Sequence, residues 1–329
     1  MKYWTSFEKL EEEFTNKNPQ PGLVLTIGNF DGVHLGHQKL LQRVKTLSLE
    51  HGLFSVAVTF QDHTSLLLRD KRPPMLMSIE ERCNYFAFLG IKGCLLLEFS
   101  TELAQMTPEK FLDKLVSLGT KALVVGHDFT FGAGGTGDIK FLLEYAKKKN
   151  LYVEVIPPVK YKEKIVCSSQ IRVLLSEGKL AEANGMLNRP FSLSGKVEDG
   201  EARGRELGFP TANLSFPTYR LLPKFGVYLV RVLLGEEEYY GLANVGCKPT
   251  FNRCDPLVEV FIYNFAAEIY GDSLVIEFLK FLREEKKFSS PDKLKEQMKK
   301  DKWNGEKLLL HFKKKNVNEE SNITCETTF

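Results

Sequence analysis

Two histidines three residues apart are the first candidates for chemistry in this chain. His34 and His37 lie in "GNFDGVHLGH" (28–37), between a run typical of a buried strand and a run typical of an amphipathic helix. The first N–H groups of a helix lack partners and its macrodipole is positive there, so imidazoles at that end can join them in binding phosphate. Gly32 and Gly36 lack a Cβ and would let a ligand approach the backbone. The spacing therefore favours a phosphate site.

Of the two other interpretations of these histidines, one fails and one stays open. A metal ion needs more than the two ligands of H-x-x-H, and no Cys or carboxylate pattern nearby supplies the others. An ordinary turn with two solvated histidines remains the alternative to a phosphate site.

A glycine-rich stretch, "VVGHDFTFGAGGTGD" (124–138), contains a formal G-x-G-x-x-G. A dinucleotide fingerprint requires those glycines directly after a strand, and "HDFTF" intervenes here. We therefore expect a flexible loop that covers a substrate, with Asp128 and Phe129 facing the cleft. A mobile surface loop without a ligand is the alternative.

The stretch "CSSQIR" (167–172) places two hydroxyl groups and an arginine at the start of a helix. Ser168 or Ser169 can cap that helix, and Arg172 can hold a phosphate oxygen in a charge-assisted hydrogen bond. Serine caps are common, so this stretch alone does not define a site.

A further stretch, "GEARGRELGFPTANL" (200–214), combines glycines and basic residues with neutral oxygen donors. Thr211 and Asn213 follow a proline and present oxygen atoms, the ligands that Mg²⁺ prefers beside phosphate oxygens and water. The chain contains no G-x-x-x-x-G-K-[ST], so a phosphate bound here would be held by another type of loop. A hairpin that binds nothing is the alternative. The glycine and basic positions are Gly200, Arg203, Gly204, Arg205 and Gly208.

Glu259 interrupts the otherwise apolar strand "LVEVFIYNF" (257–265). Strand alternation can turn its carboxylate to solvent, which is the usual case. Aimed into the mouth of a barrel, the carboxylate could instead take a proton from a hydroxyl group.

The elements that must position these residues differ between the two halves of the chain. Strand-like and helix-like runs alternate over 22–159, which predicts a parallel sheet covered on both faces with its ligand site at the carboxyl ends of the strands. One or two helices follow over 168–190. After them, strand-like runs separated by glycines predict a small β-barrel, and a helix over 290–312 closes the fold.

Composition and charge exclude several classes of protein. The 329 residues suffice for two domains, and 43% hydrophobic with 26% charged residues is typical of a globular protein. A net charge of +3 gives no footprint of nucleic-acid binding. No apolar run fits a membrane span or a signal peptide, and the six cysteines form no C-x-x-C or zinc pattern. We therefore expect a reduced, cytoplasmic protein without membrane or nucleic-acid partners.

Together these motifs resemble the prokaryotic bifunctional riboflavin kinase/FAD synthetase family over residues 20–312, in the family's order. "GNFDGVHLGH", "VGHDFTFG" and "SSQIR" are similar to motifs of its FMN adenylyltransferase module, one of the H-x-G-H nucleotidyltransferases. "GRELGFPTANL", "ANVGCKPTF" and the strand with Glu259 are similar to its riboflavin kinase barrel.

The resemblance implies a fold and a division into domains. It implies a Rossmann-like α/β nucleotidyltransferase domain with a parallel sheet over 1–186. It also implies a small β-barrel riboflavin kinase domain with a terminal helix over 187–314. The polar composition of 315–329 predicts a disordered tail.

The resemblance also implies two reactions. Riboflavin is phosphorylated to FMN with ATP, and FMN is then adenylated with a second ATP to give FAD and pyrophosphate. Mg²⁺ accompanies ATP, and the ligands are small molecules. The oligomeric state stays open between a monomer and a weak oligomer.

Residue roles carry over by position within the matching motifs. Glu259 is the implied base of the kinase, with Thr211 and Asn213 as Mg²⁺ ligands, while His34 and His37 stabilise phosphate charge in the adenylyltransferase. The implied ATP contacts of the adenylyltransferase are Gly28, Asn29, Phe30, Asp31, Gly36, Ser168, Ser169 and Arg172. Its implied flavin contacts are His63, Asp128 and Phe129. The implied ATP contacts of the kinase are Gly200, Gly204, Arg205, Gly208, Pro210, Thr211 and Asn213.

The chain departs from the family pattern at three places. The family's D/E-P-H-P is "TFQDHT" (59–64) here, which keeps His63 without either proline. Gln170 replaces a threonine of the distal motif, and Phe261 and Asn264 stand where the family often has histidine and aspartate. Two alternatives therefore stay open: a riboflavin kinase with an impaired adenylyltransferase half, and a non-catalytic flavin- or nucleotide-sensing protein of the same fold.

Overall fold

A computed structural model of the chain describes residues 1–15, 21–200, 203–250 and 253–323. Side chains are not described at 15, 203, 206, 248–250, 253–255 and 311–323. The chain divides into two units, which interleave along the sequence. The first unit comprises Met1–Arg172, Gly185–Asn188 and Tyr219–Leu221, and the second comprises Val173–Asn184, Arg189–Thr218 and Leu222–Phe329.

Six strands form the sheet of the first unit: β1 (Lys2–Trp4), β2 (Leu23–Ile27), β3 (Phe54–Phe60), β4 (Gly93–Leu97), β5 (Thr120–Gly126) and β6 (Tyr152–Ile156). Their order is β1-β4-β3-β2-β5-β6, and every neighbouring pair is parallel. The central strand β2 is buried along its whole length, as expected of a parallel strand covered on both faces.

Helices cover both faces of this sheet: α1 (Phe7–Thr15), α2 (Leu35–Glu50), α3 (Ser65–Arg69), α4 (Ile79–Phe88), α5 (Thr101–Gln105), α6 (Pro108–Ser117) and α7 (Ile139–Lys149). Alternate residues of β2 point to opposite faces. Leu25 packs in a core with Leu10 of α1 and Leu112 of α6. Its neighbour Val24 packs in a second core with residues of α2 and α4.

The next elements along the chain are β7 (Lys160–Tyr161), β8 (Lys164–Ile165), α8 (Ser168–Ser176), α9 (Leu180–Leu187), β9 (Phe191–Glu198), α10 (Arg203–Glu206), β10 (Ala212–Ser215), β11 (Gly226–Leu234), β12 (Glu237–Thr250) and β13 (Arg253–Ile262). They are followed by β14 (Ser273–Glu284) and the terminal helix α11 (Pro291–Ile323).

The second unit is built on a closed antiparallel barrel. Its strand order is β10-β13-β12-β11-β14-β9, with β9 and β10 closing the ring. Val230, Val245 and Val258 are fully buried inside it. Leu308 and Leu309 of α11 pack on its outer face beside Leu242 and other apolar residues. The predicted architecture, a parallel α/β sheet followed by a small β-barrel with a terminal helix, is confirmed.

Two short elements at the start of the chain escaped the sequence analysis. β1 has only three residues, which is too few for a period-two pattern, yet it pairs with β4 at the edge of the sheet. Trp4 anchors it, because the indole is 5% exposed and lies against Phe14 and Phe54 at centroid distances of 5.9 and 6.2 Å. The acidic helix α1 follows it and closes one face of the sheet.

The predicted domain boundaries stay predictions, because the two units do not meet at one point in the sequence. The backbone of α11 continues to Ile323, beyond the predicted end of the kinase domain at 314. Residues 324–329, the end of the predicted tail, lie outside the described residues.

Among the described residues, no helix is long and apolar enough to cross a membrane. Cys83, Cys94 and Cys167 are free thiols. Cys247 is disulfide-bonded, contrary to the expectation of a fully reduced chain. It lies on β12, which pairs with β13 in an antiparallel hairpin. Such pairing brings together residues that have no C-x-x-C or zinc-type spacing in the sequence.

We predict that Trp4→Ala lowers the free energy of unfolding of the first unit by about 3–5 kcal/mol, because it removes a large buried side chain and leaves a cavity. Denaturation followed by circular dichroism measures the change. Tyr3→Ala is the matched control, since Tyr3 is 52% exposed on the same strand. An equal loss in both variants would show that β1 contributes through its backbone alone.

Candidate active sites

The carboxyl ends of β2, β3, β5 and β6 border a cleft of about 770 Å³ in the first unit. Its volume falls within the range of small-molecule sites. The residues assigned to the adenylyltransferase by resemblance all line it, although they come from distant parts of the sequence. They are Gly28, Asn29, Phe30, Asp31, His34, Gly36, His37, His63, Asp128, Phe129, Ser168, Ser169 and Arg172.

His34 and His37 form a stacked pair at the start of α2. Their ring centroids are 3.6 Å apart and the rings are inclined by 16°. His34 caps the helix, because its Nδ1 accepts a hydrogen bond of 3.4 Å from the backbone N–H of His37. Because Nδ1 accepts this bond, Nε2 is the nitrogen of His34 that carries a proton. That atom is therefore a hydrogen-bond donor.

Burial, together with the neighbouring His34 and Arg82, lowers the pKa of His37 well below its usual value. The pKa of His63 is also lowered, mainly by burial and next by the charge of Arg172. Both side chains are therefore neutral at pH 7. Among the described side chains, no partner occupies the buried Nδ1 of His37.

The loop before α2 holds an unusual backbone conformation. Phe30, Gly32 and Val33 all have positive φ, at 49°, 82° and 36°. For a β-branched valine this is an outlier that costs about 1–3 kcal/mol, and such strain persists only where the surroundings impose it. Burial does so here, because Phe30 is 1% exposed and Val33 is fully buried.

The ring of Phe30 supports the histidines rather than lying free in the cleft. It contacts His37 edge-on at 5.1 Å and Phe86 of α4 at 5.3 Å. Its predicted contact with ATP stays a prediction. Because Phe30 is only 1% exposed, a nucleotide could contact its backbone but not its ring.

A buried ion pair fixes the same loop from the other side. The carboxylate of Asp31 is 2.6 Å from an Nη of Arg172 and accepts the backbone N–H groups of Leu76 and Met77. The Nε of Arg172 donates to the carbonyl of Pro74 at 2.8 Å. Asp31 and Arg172 therefore hold the protein together at this point, and their predicted contacts with ATP stay predictions.

Ser168 joins the start of α8 to the same loop. Its hydroxyl donates to the backbone carbonyl of Asp31 at 2.8 Å. Ser169 beside it is exposed at the cleft. Ser168 therefore ties two motifs that are far apart in sequence, and the predicted contacts of both serines with ATP stay predictions.

The altered "TFQDHT" segment is held by contacts that the family's prolines could not make. The backbone N–H of Thr64 donates to Oδ1 of Asn29 at 3.2 Å, and its hydroxyl accepts from Nδ2 of Asn29 at 3.1 Å. A proline at 64 would lack both groups. His63 precedes Thr64 and lines the cleft, and its Nδ1 accepts a hydrogen bond from the backbone N–H of Ser65.

Aromatic residues dominate one end of the cleft. Phe129 is half-buried and stacks on Phe131 at 5.2 Å, while Phe60 contacts Phe99 edge-on at 5.3 Å. Asp128 is 82% exposed at the rim. The following loop forms a hairpin in which Phe131 and Gly137 exchange two backbone hydrogen bonds of 2.9 Å, and Gly132, Gly134 and Gly135 line the cleft. That it covers a substrate stays a prediction.

The candidate kinase residues lie on the outer face of the barrel in the second unit. Asn213 on β10 and Asn244 on β12 are both register partners of Glu259 on β13. The Nδ2 of Asn244 donates to the carboxylate at 3.4 Å. The adjacent Val258 and Val260 fill the barrel interior. Glu259 is therefore half-buried between two amides on the outer face, and its role as a base stays a prediction.

A glycine turn covers two of the neutral oxygen donors. A Cβ at Gly200 would lie 1.8 Å from Nδ2 of Asn213, and a Cβ at Gly204 would lie 3.1 Å from Oγ1 of Thr211. The turn is closed by a hydrogen bond of 2.8 Å from the N–H of Phe209 to the carbonyl of Gly204. The segment can therefore approach Thr211 and Asn213 only because glycines stand there.

Phe261, the departure from the family's histidine, supports this turn. It contacts Phe209 edge-on at 5.4 Å and lies two residues from Glu259 on the same face of β13. Pro210 and Gly208 lie exposed beyond it, and Arg205 is 3.8 Å from Glu268 with a side chain 70% exposed. Asn264 has a φ of 55° and begins the turn after β13.

The donor set beside Glu259 fits Mg²⁺. Thr211, Asn213 and Glu259 offer a hydroxyl, an amide oxygen and a carboxylate, and magnesium prefers such oxygen ligands together with phosphate oxygens. Within the described part of the chain, no group of three or more His, Cys, Asp or Glu side chains could hold a metal by itself.

Asn244 is a site residue that the sequence analysis missed. It belongs to the quoted "ANVGCKPTF", but its position opposite Glu259 depends on the pairing of β12 with β13. The local sequence gives one sign of its position: Asn244 stands between apolar Ala243 and Val245. Since strand residues alternate between faces, a polar residue between two apolar ones is expected on the outer face.

Comparisons with known proteins agree with this arrangement of two sites. The family model described as FAD synthetase matches residues 16–170, and the one described as riboflavin kinase matches 187–309. The chain is 35% identical over 304 residues to the bifunctional riboflavin kinase/FMN adenylyltransferase of Bacillus subtilis, covering 91% of this chain and 96% of that protein. It is 36% identical over 287 residues to the Escherichia coli K12 protein of that name, covering 86% and 91%.

A solved structure shares the fold over nearly the whole length. The crystal structure titled macrolide-efflux protein from Streptococcus pneumoniae superposes with a TM-score of 0.82 at 29% identity, covering 92% of this chain and 98% of that one. The match supports the fold, and the two family models divide it into the same halves as the two candidate sites. The chain belongs to the family of bifunctional riboflavin kinase/FMN adenylyltransferases, which confirms the resemblance inferred from its motifs.

Proposed function

We propose that this chain phosphorylates riboflavin to FMN with ATP and adenylates FMN with a second ATP, giving FAD and pyrophosphate. The observation that carries this proposal is the presence of two complete residue sets in separate units. One lines the cleft at the end of the parallel sheet, and the other lies beside Glu259 on the barrel. The two alternatives, an impaired adenylyltransferase half and a non-catalytic sensor, would each require one or both sets to be idle.

In the adenylyl transfer, a phosphate oxygen of FMN attacks the α-phosphorus of ATP and pyrophosphate leaves. We assign charge stabilisation to the N-terminus of α2 and to the imidazole donors His34 and His37. Since His37 is neutral, it acts as a hydrogen-bond donor and not as a cation. Such transfers depend mainly on position and electrostatics, so no covalent intermediate on the protein is needed.

The flavin of this half-reaction is assigned to the aromatic end of the cleft. Phe60, Phe99 and Phe129 offer flat apolar surfaces there, and an isoalloxazine ring can stack on such faces. His63 and Asp128 add polar groups at the rim of the same space.

In the phosphoryl transfer, the 5′-hydroxyl of riboflavin attacks the γ-phosphorus of ATP and ADP leaves. We assign to Glu259 the removal of the hydroxyl proton, with Asn244 orienting the carboxylate. The segment from Gly200 to Gly208 is assigned to the nucleotide, and Thr211 and Asn213 to Mg²⁺. The ion would offset charge on the phosphates. The cytoplasmic location, the small-molecule partners and the oligomeric state remain sequence-based predictions.

The first test follows flavins by chromatography after incubation with riboflavin and MgATP. We expect FMN to appear first and FAD to follow. FMN alone would support a kinase with an impaired adenylyltransferase half, and no conversion would contradict both enzymatic activities. Supplying FMN directly tests the second step independently of the first.

We expect Glu259→Gln to reduce FMN formation by about 100-fold or more, because an amide cannot accept the hydroxyl proton. FAD synthesis from supplied FMN should stay unchanged, since that chemistry lies in the other unit. Glu236→Gln, at an exposed turn of the same barrel, is the matched control. If a folded Glu259→Gln variant lost both reactions, the assignment of separate sites would be refuted.

We expect His37→Ala to reduce FAD synthesis by about 100-fold, because a phosphate donor is lost from the cleft, while FMN formation continues. His37→Gln, which removes the titrating group, should change the pH dependence of stability. His37 resists protonation when folded but binds a proton near pH 6.5 when unfolded.

The free energy of unfolding is therefore complete above about pH 6.5 and falls as the pH drops from there towards the lowered pKa, by roughly 1.4 kcal/mol per unit. In His37→Gln this part of the decline should disappear, while the contribution of His63 remains. The exposed His51→Gln is the control. Urea denaturation between pH 5 and pH 8 measures the slope, and an unchanged slope in His37→Gln would contradict the neutral assignment.

A further inference from the structure

A buried arginine that neither reaction uses lies behind the cleft of the first unit. Arg82 is on α4 and is only 2% exposed. It makes no ion pair with a carboxylate among the described residues, and its Nε has no hydrogen-bond partner there. Burying a guanidinium without a counter-charge costs free energy, so the site needs a compensating gain elsewhere.

The hydrogen bonds of Arg82 lead to the edge of the cleft. One Nη donates to the hydroxyl of Thr59 at 3.0 Å and to the carbonyl of Phe60 at 3.2 Å. Thr59 is fully buried, and its hydroxyl donates in turn to the backbone carbonyl of Asn29 at 3.3 Å. Phe60 and Asn29 both line the cleft. Arg82 is therefore one or two hydrogen bonds from the surface that a ligand contacts.

The same relay joins the two motifs that must act together. Asn29 belongs to the histidine loop, and its side chain holds Thr64 of the "TFQDHT" segment through two hydrogen bonds. Thr59 opens that segment on β3. Arg82 thus fixes the position of the altered segment relative to the histidine loop, in a chain that lacks the family's two prolines.

The positive charge of Arg82 also reaches the wall of the cleft. It contributes to the lowered pKa of both His37 and His63, after burial as the main cause. The carboxylate that acts on Arg82 most is Asp31, which already bonds Arg172 and two backbone amides. The positive charge of Arg82 can therefore attract an anion that enters the cleft.

We propose that Arg82 is a positioning residue for adenylyl transfer, whose buried guanidinium aligns Asn29 and the 59–64 segment and whose charge favours the polyphosphate of ATP in the cleft. The inference rests on the proposed function of the first unit. Fixed charges and dipoles that need no rearrangement stabilise a charged transition state efficiently. The free-energy cost of burying Arg82 is offset when the nucleotide binds.

Two substitutions separate the charge from the hydrogen bonds. Arg82→Gln keeps a donor for Thr59 or Phe60 and removes the charge, whereas Arg82→Lys keeps the charge and loses the forked donor. Arg43→Gln is the matched control, because Arg43 forms an ion pair with Glu154 in the same unit away from the cleft. For each protein, kcat and KM for ATP are measured in FAD synthesis from FMN, with FMN formation and the unfolding temperature recorded on the same sample.

We expect Arg82→Gln to lower kcat/KM for ATP in FAD synthesis by about 100-fold, with FMN formation and unfolding temperature close to those of the wild type. Arg82→Lys should recover about 10-fold of that loss, and Arg43→Gln should match the wild type. The proposal is overturned if Arg82→Gln makes FAD at the wild-type rate, if Lys gives no recovery over Gln, or if activity falls only in proportion to lost stability. Wild-type protein that forms FMN but no FAD would instead refute adenylyl transfer itself, and the role of Arg82 with it.

Discussion

The carboxylate of Asp31 joins three segments of the first unit that are far apart in sequence. It bonds the N–H groups of Leu76 and Met77 and the guanidinium of Arg172, while its own backbone carbonyl accepts from Ser168. Asp31 is 1% exposed, so losing Arg172 would leave a buried charge without its ion-pair partner, which destabilises the fold. These bonds hold the strained loop from Phe30 to Val33 in place. The loop in turn leads into α2 and so orients its two histidines. The shape of the cleft therefore depends on Asp31, whose carboxylate is bonded to other groups of the protein.

The two sites gather polar groups suited to phosphate in two different ways. In the first unit, loops meet because the carboxyl ends of parallel strands share one edge of the sheet, and a helix N-terminus supplies the donors. In the second, lateral register across three antiparallel strands aligns Asn213, Glu259 and Asn244 on the outside of a barrel. The first site offers backbone and imidazole hydrogen-bond donors, and the second offers oxygen atoms of the kind that a divalent cation prefers.

Much of this fold and part of both sites could be predicted from the sequence. Buried apolar runs and amphipathic helices carry a strong local pattern, so the alternation over 22–159 predicts the parallel sheet that is observed. A three-residue strand has no such pattern, so β1 was missed. The outward direction of Glu259 depends on the closed barrel, and the alternation of the strand alone left two choices. Arg82 stands in a charged run at the start of a helix and gives no local sign of burial, which follows only from the packing of α4 against β3.

The interleaving of the two units has a consequence for how such a chain could arise or be divided. Tyr219–Leu221 belongs to the first unit although it follows β10 of the barrel, and Val173–Asn184 belongs to the second although it precedes Gly185–Asn188 of the first. A gene fission at any one codon would therefore leave part of one unit on the product that carries the other. Inheritance as one uninterrupted reading frame is the arrangement that keeps each unit whole.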